Sequence, residues 1–176
     1  MNTVMNRQPH LVSDLLELRP LSLNDYAELL QVAADPFIWE QHPQPDRYKP
    51  DVFKKFFVEA MESEGALTIV DRKSGQIIGS SRFYDYNPEE TSVVIGYTFL
   101  SRKYWGGLYN KELKKLMVNY ALSFVKTTYF HVGIHNIRSQ KAMLKVGGIN
   151  TGIQEIPVSY APPKKSYVYK ICDKIL

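Results

Sequence analysis

The sequence has almost no cysteine and no long apolar run. Cys172 is the sole cysteine among 176 residues, which excludes a disulfide framework and a cysteine-rich zinc site and fits a reducing compartment. No apolar stretch approaches the ~18–20 residues of a membrane span, and residues 1–10 lack the apolar core of a secretion signal. The hydrophobic content of 44% is that of a globular chain. We therefore expect one cytoplasmic domain over residues 1–176, with its core at about 15–175.

Acidic side chains are scarce in the second half of the chain. Residues 1–90 carry 9 basic and 15 acidic side chains, a net charge of −6, whereas residues 91–176 carry 13 and 3, a net charge of +10. A strongly basic half is typical of a protein with an anionic partner, such as nucleic acid, a membrane surface or a phosphorylated cofactor. Chance sorting of surface charge is the alternative.

The hydrophobic pattern predicts an α/β protein. Strands are expected at residues 15–21, 66–71, 76–84, 92–100, 129–134, 149–158 and 167–175, the last two joined by a turn at 162–165. Helices are expected at about 24–33, 50–64, 111–124 and 136–146. The first strands form an antiparallel meander, and the strand, helix and strand across residues 92–134 form a crossover whose two strands are parallel. Lys111, Lys114 and Lys115 fall outside the apolar stripe of the third helix.

A glycine turn leads into that third helix in the segment Trp105-Gly106-Gly107-Leu108-Tyr109-Asn110-Lys111. The first N–H groups of a helix have no internal partner, and the helix dipole adds positive charge there. Two glycines also allow the backbone to approach a ligand closely. The segment therefore predicts an anion site suited to phosphate, although most such turns only change the direction of the chain.

A second polar helix start, Asn136 to Ala142, follows the other crossover strand. Asn136 and Ser139 are side chains that commonly cap helices. Parallel strands bring both helix starts to one edge of the sheet, where ligands bind in open α/β sheets. An extended ligand could then lie between the two loops, with its phosphates on residues 106–111.

Together these segments resemble the GNAT acyltransferase superfamily, most closely its branch with the RimJ/RimL ribosomal-protein N-acetyltransferases. The likeness is carried by Ile95-Gly96-Tyr97, by residues 104–110, and by Asn136 to Ser139 through Val146-Gly147. The element order matches from about residue 15 to 175. The resemblance implies a mixed, mostly antiparallel central sheet flanked by helices, with one parallel pair of strands splayed to hold acetyl-CoA. It also implies an N-acetyltransferase that moves the acetyl group directly to an amine.

The resemblance also assigns roles in binding acetyl-CoA. The backbone of Phe99 and Leu100 is expected to hydrogen-bond the pantetheine arm, and the amides of residues 106–111 to hold the pyrophosphate. Lys141 or Lys145 is expected to meet the adenosine phosphate. The residues assigned to the cosubstrate are Phe99, Leu100, Trp105, Gly106, Gly107, Leu108, Tyr109, Asn110, Lys111, Asn136, Ser139 and Lys141.

The chain departs from the family pattern at five positions. Leu108 stands where the phosphate loop usually has glycine, and Asn110 where it has a small residue. Val94 replaces an acidic base, Met143 replaces a tyrosine acid, and Gly148 replaces an aromatic residue. Because the loop works through backbone N–H groups, binding tolerates the first change if Leu108 needs no positive φ. The general acid and base stay open.

Ser139 is the candidate catalytic residue, as proton donor to the departing thiolate, with a helix-capping hydroxyl as the alternative. The general base that would accept the proton of the amine has five weak candidates, namely Glu40, His42, Asp85, His131 and His135. The alternative is that this proton passes directly to water. His131 and His135 lie on a strand and its loop, so we expect no metal site. Cys172 is expected to be a buried, inert thiol.

The acceptor is an unidentified primary amine of a protein, peptide or small molecule. Trp39, Phe53, Phe56 and Phe57 are expected to wall its pocket or simply to pack in the core. The acidic net charge of residues 1–90 favours a cationic amine. Two rival functions are a catalytically degenerate CoA-binding sensor and a nucleic-acid-binding module. Nucleic acid is not expected because no RRM, KH or helix-turn-helix signature is present. No membrane partner is expected, and a homodimer is left open.

Overall fold

The computed structural model describes residues 4–158 and 161–176. Its strands are β1 (Leu11–Val12), β2 (Leu16–Pro20), β3 (Ala66–Asp71), β4 (Ile77–Asn87), β5 (Ser92–Leu100), β6 (Thr127–Gly133), β7 (Ile149–Val158) and β8 (Ala161–Ile171). Its α-helices are α1 (Tyr26–Ala33), α2 (Pro50–Glu62), α3 (Leu108–Ala121) and α4 (Ile137–Lys145). No helix among these residues is both long and apolar enough to cross a membrane.

The described strands form one sheet in the order β1-β2-β3-β4-β5-β6-β8-β7. Every neighbouring pair is antiparallel except β5 and β6, which confirms the predicted crossover. The parallel register joins Ser92–Val94 to Thr127–Tyr129 and stops there. Beyond it, β5 keeps pairing with β4 and β6 keeps pairing with β8, so the two strands diverge towards their carboxyl ends. This splay is the opening at the centre of the sheet.

Each face of the sheet packs against its own helices, and β5 contributes to both faces because its regular alternation is interrupted at Tyr97, where φ is positive and the register with β4 shifts. One core contains Leu113, Met117 and Ala121 of α3 together with Val93 and Ile95 of β5. The other contains Phe53, Phe56 and Phe57 of α2, which pack around Phe99 of β5. Strand β5 therefore supplies both cores and is the strand at which they meet.

The last hairpin differs from the prediction. Residues 162–165, expected to be a turn, lie inside β8, and the prediction of a strand reaching residue 175 is wrong because β8 ends at Ile171. Proline has no N–H to donate to a neighbouring strand, so within sheets it is confined to edges, strand starts and bulges. Pro162 and Pro163 are tolerated because β6 pairs with β8 only from Ser166 onward, which leaves one edge of residues 161–165 without a strand partner.

Cys172 is the other correction outside the site. It follows the end of β8 and is exposed rather than buried, with its Sγ 3.7 Å from the Thr127 Oγ1. The prediction took the strand pattern to continue through Cys172. Because β8 stops one residue earlier, the alternation of buried and exposed side chains no longer applies to it.

Candidate active site

A cleft of about 420 Å³ occupies the splay between β5 and β6. It is closed by the start of α3, by α4, by the segment around His42 and by residues 156–158 of β7. None of the described residues that line it is acidic, whereas six are basic. The six are Arg47, Lys111, Lys114, Arg138, Lys141 and Lys145. The lining is therefore suited to a ligand that carries negative charge.

The glycine turn forms an anion cradle at one end of the cleft. Gly106 has a φ of +72°, a left-handed conformation that favours glycine, and a Cβ added at Gly106 or Gly107 would meet no atom within 4 Å. Gly107 is the N-cap of α3, and no side chain caps the N–H groups of the first turn. These groups are donors without a side-chain partner at the positive end of a helix of 14 residues.

The predicted loop residues fall into two groups. Trp105, Gly106, Gly107, Asn110 and Lys111 line the cleft. Leu108 and Tyr109 do not, so only their backbone amides could serve a ligand. The Leu108 side chain is 68% exposed and its φ is not positive, so its replacement of glycine strains nothing. The Tyr109 hydroxyl instead donates to Asp71 Oδ1 at 2.9 Å, which anchors the start of α3 to β3.

Phe99 and Leu100 end β5 at the opening of the cleft. Phe99 is buried, with its ring 5.0 Å from the Trp39 ring. The Leu100 carbonyl accepts a hydrogen bond of 2.9 Å from the Trp105 indole N–H. That bond fixes the glycine turn to the end of the strand and occupies one acceptor position of the Leu100 carbonyl.

At the start of α4, Asn136 is buried and is the N-cap. Its Oδ1 accepts from the Ser139 backbone N–H at 3.1 Å, so the cap comes from Asn136 and not from the Ser139 hydroxyl. Ser139 and Lys141 both line the cleft. Arg138, which sequence reasoning missed, lies 3.9 Å over the Trp105 ring and donates to the Ile38 carbonyl at 3.0 Å. Arg138 thus ties α4 both to the glycine turn and to the segment before α2.

A tyrosine of β4 and a histidine of β6 form a pair that lines the cleft. The Tyr84 hydroxyl and His131 Nδ1 are 3.1 Å apart, and both residues line the cleft. Burial lowers the pKa of His131 below its ordinary value, and the charge of Asp85 acts in the opposite direction. Burial also raises the pKa of Tyr84. At neutral pH the pair therefore holds a neutral imidazole, which can accept a proton at Nε2 when Nδ1–H donates to the phenol oxygen.

The other candidate bases are placed less favourably. Glu40 is half exposed and 3.8 Å from Arg138, while Asp85 and His135 are exposed and lie outside the cleft lining. His42 lines the cleft, but burial and the charges of Arg47 and Arg138 lower its pKa to about 3. An imidazole with so low a pKa is a poor proton acceptor. Among the predicted candidates, only His131 combines a place in the cleft with a useful basicity.

Lys114 is buried, contrary to its expected place outside the apolar stripe of α3. Its side chain is 7% exposed, donates to Thr98 Oγ1 at 3.4 Å and lies 4.8 Å over the Phe130 ring. Burial lowers the pKa of Lys114 to about 8. Helical periodicity could not show this, because the lysine enters a gap that exists only where β5 and β6 diverge.

The aromatic residues expected at the acceptor pocket belong to the hydrophobic core. Trp39, Phe53, Phe56 and Phe57 are buried together, and the Trp39 indole N–H donates to the Ala33 carbonyl at 2.8 Å. Packing therefore accounts for all four. None of the four lines the cleft, although Phe56 contacts side chains that do.

The sequence model of the acetyltransferase (GNAT) domain matches residues 16–149, about three quarters of the chain. The search of proteins with curated function found no match to this chain. A GCN5-related N-acetyltransferase from Brucella melitensis superimposes with a TM-score of 0.80 at 16% identity, over 94% of this chain and 79% of that one. A structure described as a ribosomal-protein-serine acetyltransferase of Vibrio cholerae gives 0.78 at 15%, over 96% and 100%.

A third similar structure was solved with ligands. The microcin C7 self-immunity acetyltransferase MccE, in complex with acetyl-CoA and AMP, gives a TM-score of 0.72 at 18% identity, over 92% of this chain and 94% of that one. At these identities the structural matches establish the shared fold.

Proposed function

Since the chain belongs to the GNAT acetyltransferase family and is thus an N-acetyltransferase that uses acetyl-CoA, we propose that its cleft moves the acetyl group directly to a primary amine of a protein, peptide or small molecule. The observation that carries this proposal is the splay of β5 from β6 beside the uncapped start of α3. The splay exposes strand backbone to a ligand, and the helix start offers N–H donors to its phosphates.

The residues present fit acetyl-CoA. The open space at Gly106 and Gly107 leaves room for a diphosphate against the backbone, and Lys111 stands one turn into the same helix. Lys141 and Lys145 of α4 line the cleft as exposed cations that suit a further phosphate. When bound, the cosubstrate supplies an acetyl group activated as a thioester.

The Tyr84–His131 pair and Ser139 supply the proton transfers that acetyl transfer to an amine requires. In the tautomer that carries its proton on Nδ1, His131 donates to the Tyr84 oxygen 3.1 Å away, which fixes the ring, and its free Nε2 accepts the proton of the attacking amine. The Ser139 hydroxyl makes no hydrogen bond to the described residues and lines the cleft, so it is free to donate a proton to the departing sulfur. Ser139 is thereby proposed as catalytic, with His131 as base.

A catalytically degenerate CoA-binding sensor is the second candidate. It would keep the anion cradle, and the replacement of the family's acid and base favours it. Val94 and Met143, which stand at those positions, are buried apolar residues. The Tyr84–His131 pair favours the enzyme, because it places a neutral imidazole in the cleft by another route.

Membership of the RimJ/RimL branch, a single domain over residues 1–176 and a cytoplasmic location stay predictions. So do a homodimer and the absence of nucleic-acid and membrane partners. The Vibrio cholerae match, at 15% identity, carries the fold alone.

The test combines binding with turnover. Calorimetry with acetyl-CoA should show one site per chain. Release of free CoA thiol, followed over a panel of primary amines, should then exceed the rate measured without amine. Binding without amine-dependent release on any amine would support the sensor, and absence of binding would overturn both candidates.

A further inference from the structure

Two arginines from distant segments are buried against the same pair of aromatic rings. Arg47, in the 3-10 helix Pro45–Tyr48, and Arg82, in β4, are each 5% exposed. The Arg82 Cζ lies 4.1 Å from the Tyr97 ring centroid and 5.6 Å from that of Phe56. The Arg47 Cζ lies 4.5 Å from the Phe56 centroid and 5.9 Å from that of Tyr97. We name Arg47, Arg82 and Tyr97 the guanidinium pocket.

Neither guanidinium has an acidic partner. The Nε and Nη2 atoms of Arg82 are buried and have no hydrogen-bond acceptor. The Arg47 Nε and Nη2 both donate to the neutral Gln44 Oε1, at 3.1 and 2.8 Å. The charge of Glu59 raises the pKa of both arginines, but neither arginine forms an ion pair with any described acid. Two neighbouring cations are thus desolvated without an anion between them.

Burial of this kind is costly and calls for an explanation. It lowers the pKa of Arg47 to about 10 and also lowers that of Arg82, and Arg82 adds to the shift of Arg47. Aromatic rings offset only part of the desolvation of a cation. Unsatisfied buried donors are rare in folded proteins, and a water molecule or an ion can complete them. Beside two buried cations, an anion would satisfy both the free donors and the charge.

Two residues of the guanidinium pocket, Arg47 and Tyr97, line the cleft beside the Tyr84–His131 pair, and we call this part of the cleft the acceptor half. Arg82 does not line the cleft itself but lies directly against the Tyr97 ring. Tyr97 has a φ of +52°, at the point where the register between β4 and β5 shifts from Arg82↔Gly96 to Ser80↔Phe99. A bulge of this kind re-aims a side chain, and a non-glycine residue held at positive φ is strained. The strain places the Tyr97 ring against Arg82.

We propose, on the basis of the acetyl transfer inferred above, that the guanidinium pocket binds an oxyanion carried by the amine acceptor, either a carboxylate or a phosphate. Arginine presents a planar fork of donors that matches both groups. The bound anion fixes the acceptor so that its amine faces His131. The same cations favour the neutral form of that amine, which is the form that attacks. None of the described residues that line the cleft is acidic, so we expect a polycationic amine to be a poor acceptor.

The first experiment measures anion binding in the presence of saturating CoA, which occupies the anion cradle. The melting temperature of the wild type should rise with inorganic phosphate or acetate relative to chloride at equal ionic strength. In Arg82→Met this rise should disappear. The matched control Lys54→Met, which removes an exposed charge from α2, should respond as the wild type does.

The same variant separates binding from packing. If Arg82 awaits an anion, Arg82→Met should melt above the wild type in chloride, because it removes an unpaired buried charge. If Arg82 only packs on its rings, the variant should melt lower and keep the anion response, which would overturn the proposal. If Arg82→Met fails to fold, the melting temperature and the anion response of Arg47→Met are measured instead, with the same two outcomes.

The second experiment compares amines that differ only in the anion. Thiol release is measured with phosphoethanolamine against ethanolamine, and with phenylalanine against phenethylamine. We expect the anionic member of at least one pair to have a kcat/KM higher by on the order of 10–100-fold, and Arg82→Met to bring that ratio close to one. The pair that responds identifies phosphate or carboxylate as the source.

Failure of this inference is distinguishable from failure of the proposed function. Uncharged members acetylated as fast as anionic ones, with CoA affinity intact, would overturn the guanidinium pocket alone. Loss of CoA binding by the wild type would overturn the proposed function. If none of the four amines reacts, the response of the melting temperature to phosphate and acetate decides.

Discussion

The two halves of the cleft recognise charge in different ways. In the cofactor half, around residues 105–111, the proposed contacts come from backbone N–H groups at a helix start and from exposed lysines. In the acceptor half, the proposed contacts come from the buried Arg47 and Arg82 and the half-buried Tyr97, which three segments of the chain bring together. The backbone half tolerates departures such as Leu108 because the side chain there takes no part. The side-chain half depends on each residue, so specificity for the acceptor resides there.

The largest expected effect is in the backbone half. Gly106→Glu adds a carboxylate and a strained φ where the phosphates would lie, and we expect acetyl-CoA affinity to fall by at least about 100-fold in calorimetry. Gly75→Glu is a matched control, since Gly75 has a φ of +71° and equally open space in a turn outside the cleft. If both variants bind acetyl-CoA as the wild type does, the cradle is wrongly placed.

The second prediction concerns the boundary between the halves. His131→Gln should lower kcat by about 100-fold and leave acetyl-CoA affinity unchanged. Because its folded-state pKa is lowered, His131 is neutral at pH 7, and the wild-type rate should fall only as pH drops through a value below the ordinary 6.5. Tyr84→Phe should shift that acid limb. His135→Gln, an exposed histidine outside the cleft, is the control, and an equal loss there would count against the assignment.

A smaller effect is expected from Ser139→Ala. The cap of α4 belongs to Asn136, so the melting temperature should stay the same. Loss of the proton donor should lower kcat on the order of 10-fold with KM unchanged. Ser123→Ala, at an exposed hydroxyl after α3, serves as the control. A drop in stability without a drop in kcat would return Ser139 to a structural role.

The last prediction concerns stability rather than binding or turnover. The pKa of Lys114 is lowered to about 8 in the folded state, so the unfolded chain binds more protons between pH 8 and its ordinary value of 10.5. Stability of the wild type should therefore rise with pH across that window. Lys114→Met should be more stable by roughly 3 kcal/mol at pH 7, and the difference should vanish above pH 10.5. Denaturant unfolding measures it, with Lys115→Met as the control.

The backbone half was predictable because its signals are local. Residues 92–100 have the strongest β propensity, the glycine turn precedes an amphipathic helix, and the parallel crossover follows from their order. The short strand β1 and the strand around Pro162 and Pro163 were missed, since both depend on which neighbour happens to pair with them.

The acceptor half was not predictable, because its signals are tertiary. The net charge of residues 1–90 favoured a cationic acceptor, and this stays a prediction. The acidic side chains of residues 1–90 do not line the cleft, whereas Arg47 and Arg82 are buried and support the anionic acceptor proposed above. A net charge counts an exposed carboxylate and a buried guanidinium equally, so it does not show which charges face the cleft. In the sequence Tyr84 is an ordinary strand residue. Its proposed role in orienting His131 depends on a contact with a residue 47 positions away.

The Trp105 contacts have a practical consequence. Of the two tryptophans in the chain, Trp39 is fully buried, whereas Trp105 lines the cleft with the Arg138 guanidinium 3.9 Å over its ring. Ligand entry beside Trp105 changes the polarity around one indole and leaves the other as a constant background. The intrinsic fluorescence of the unlabelled protein should therefore follow occupancy of the cleft in real time.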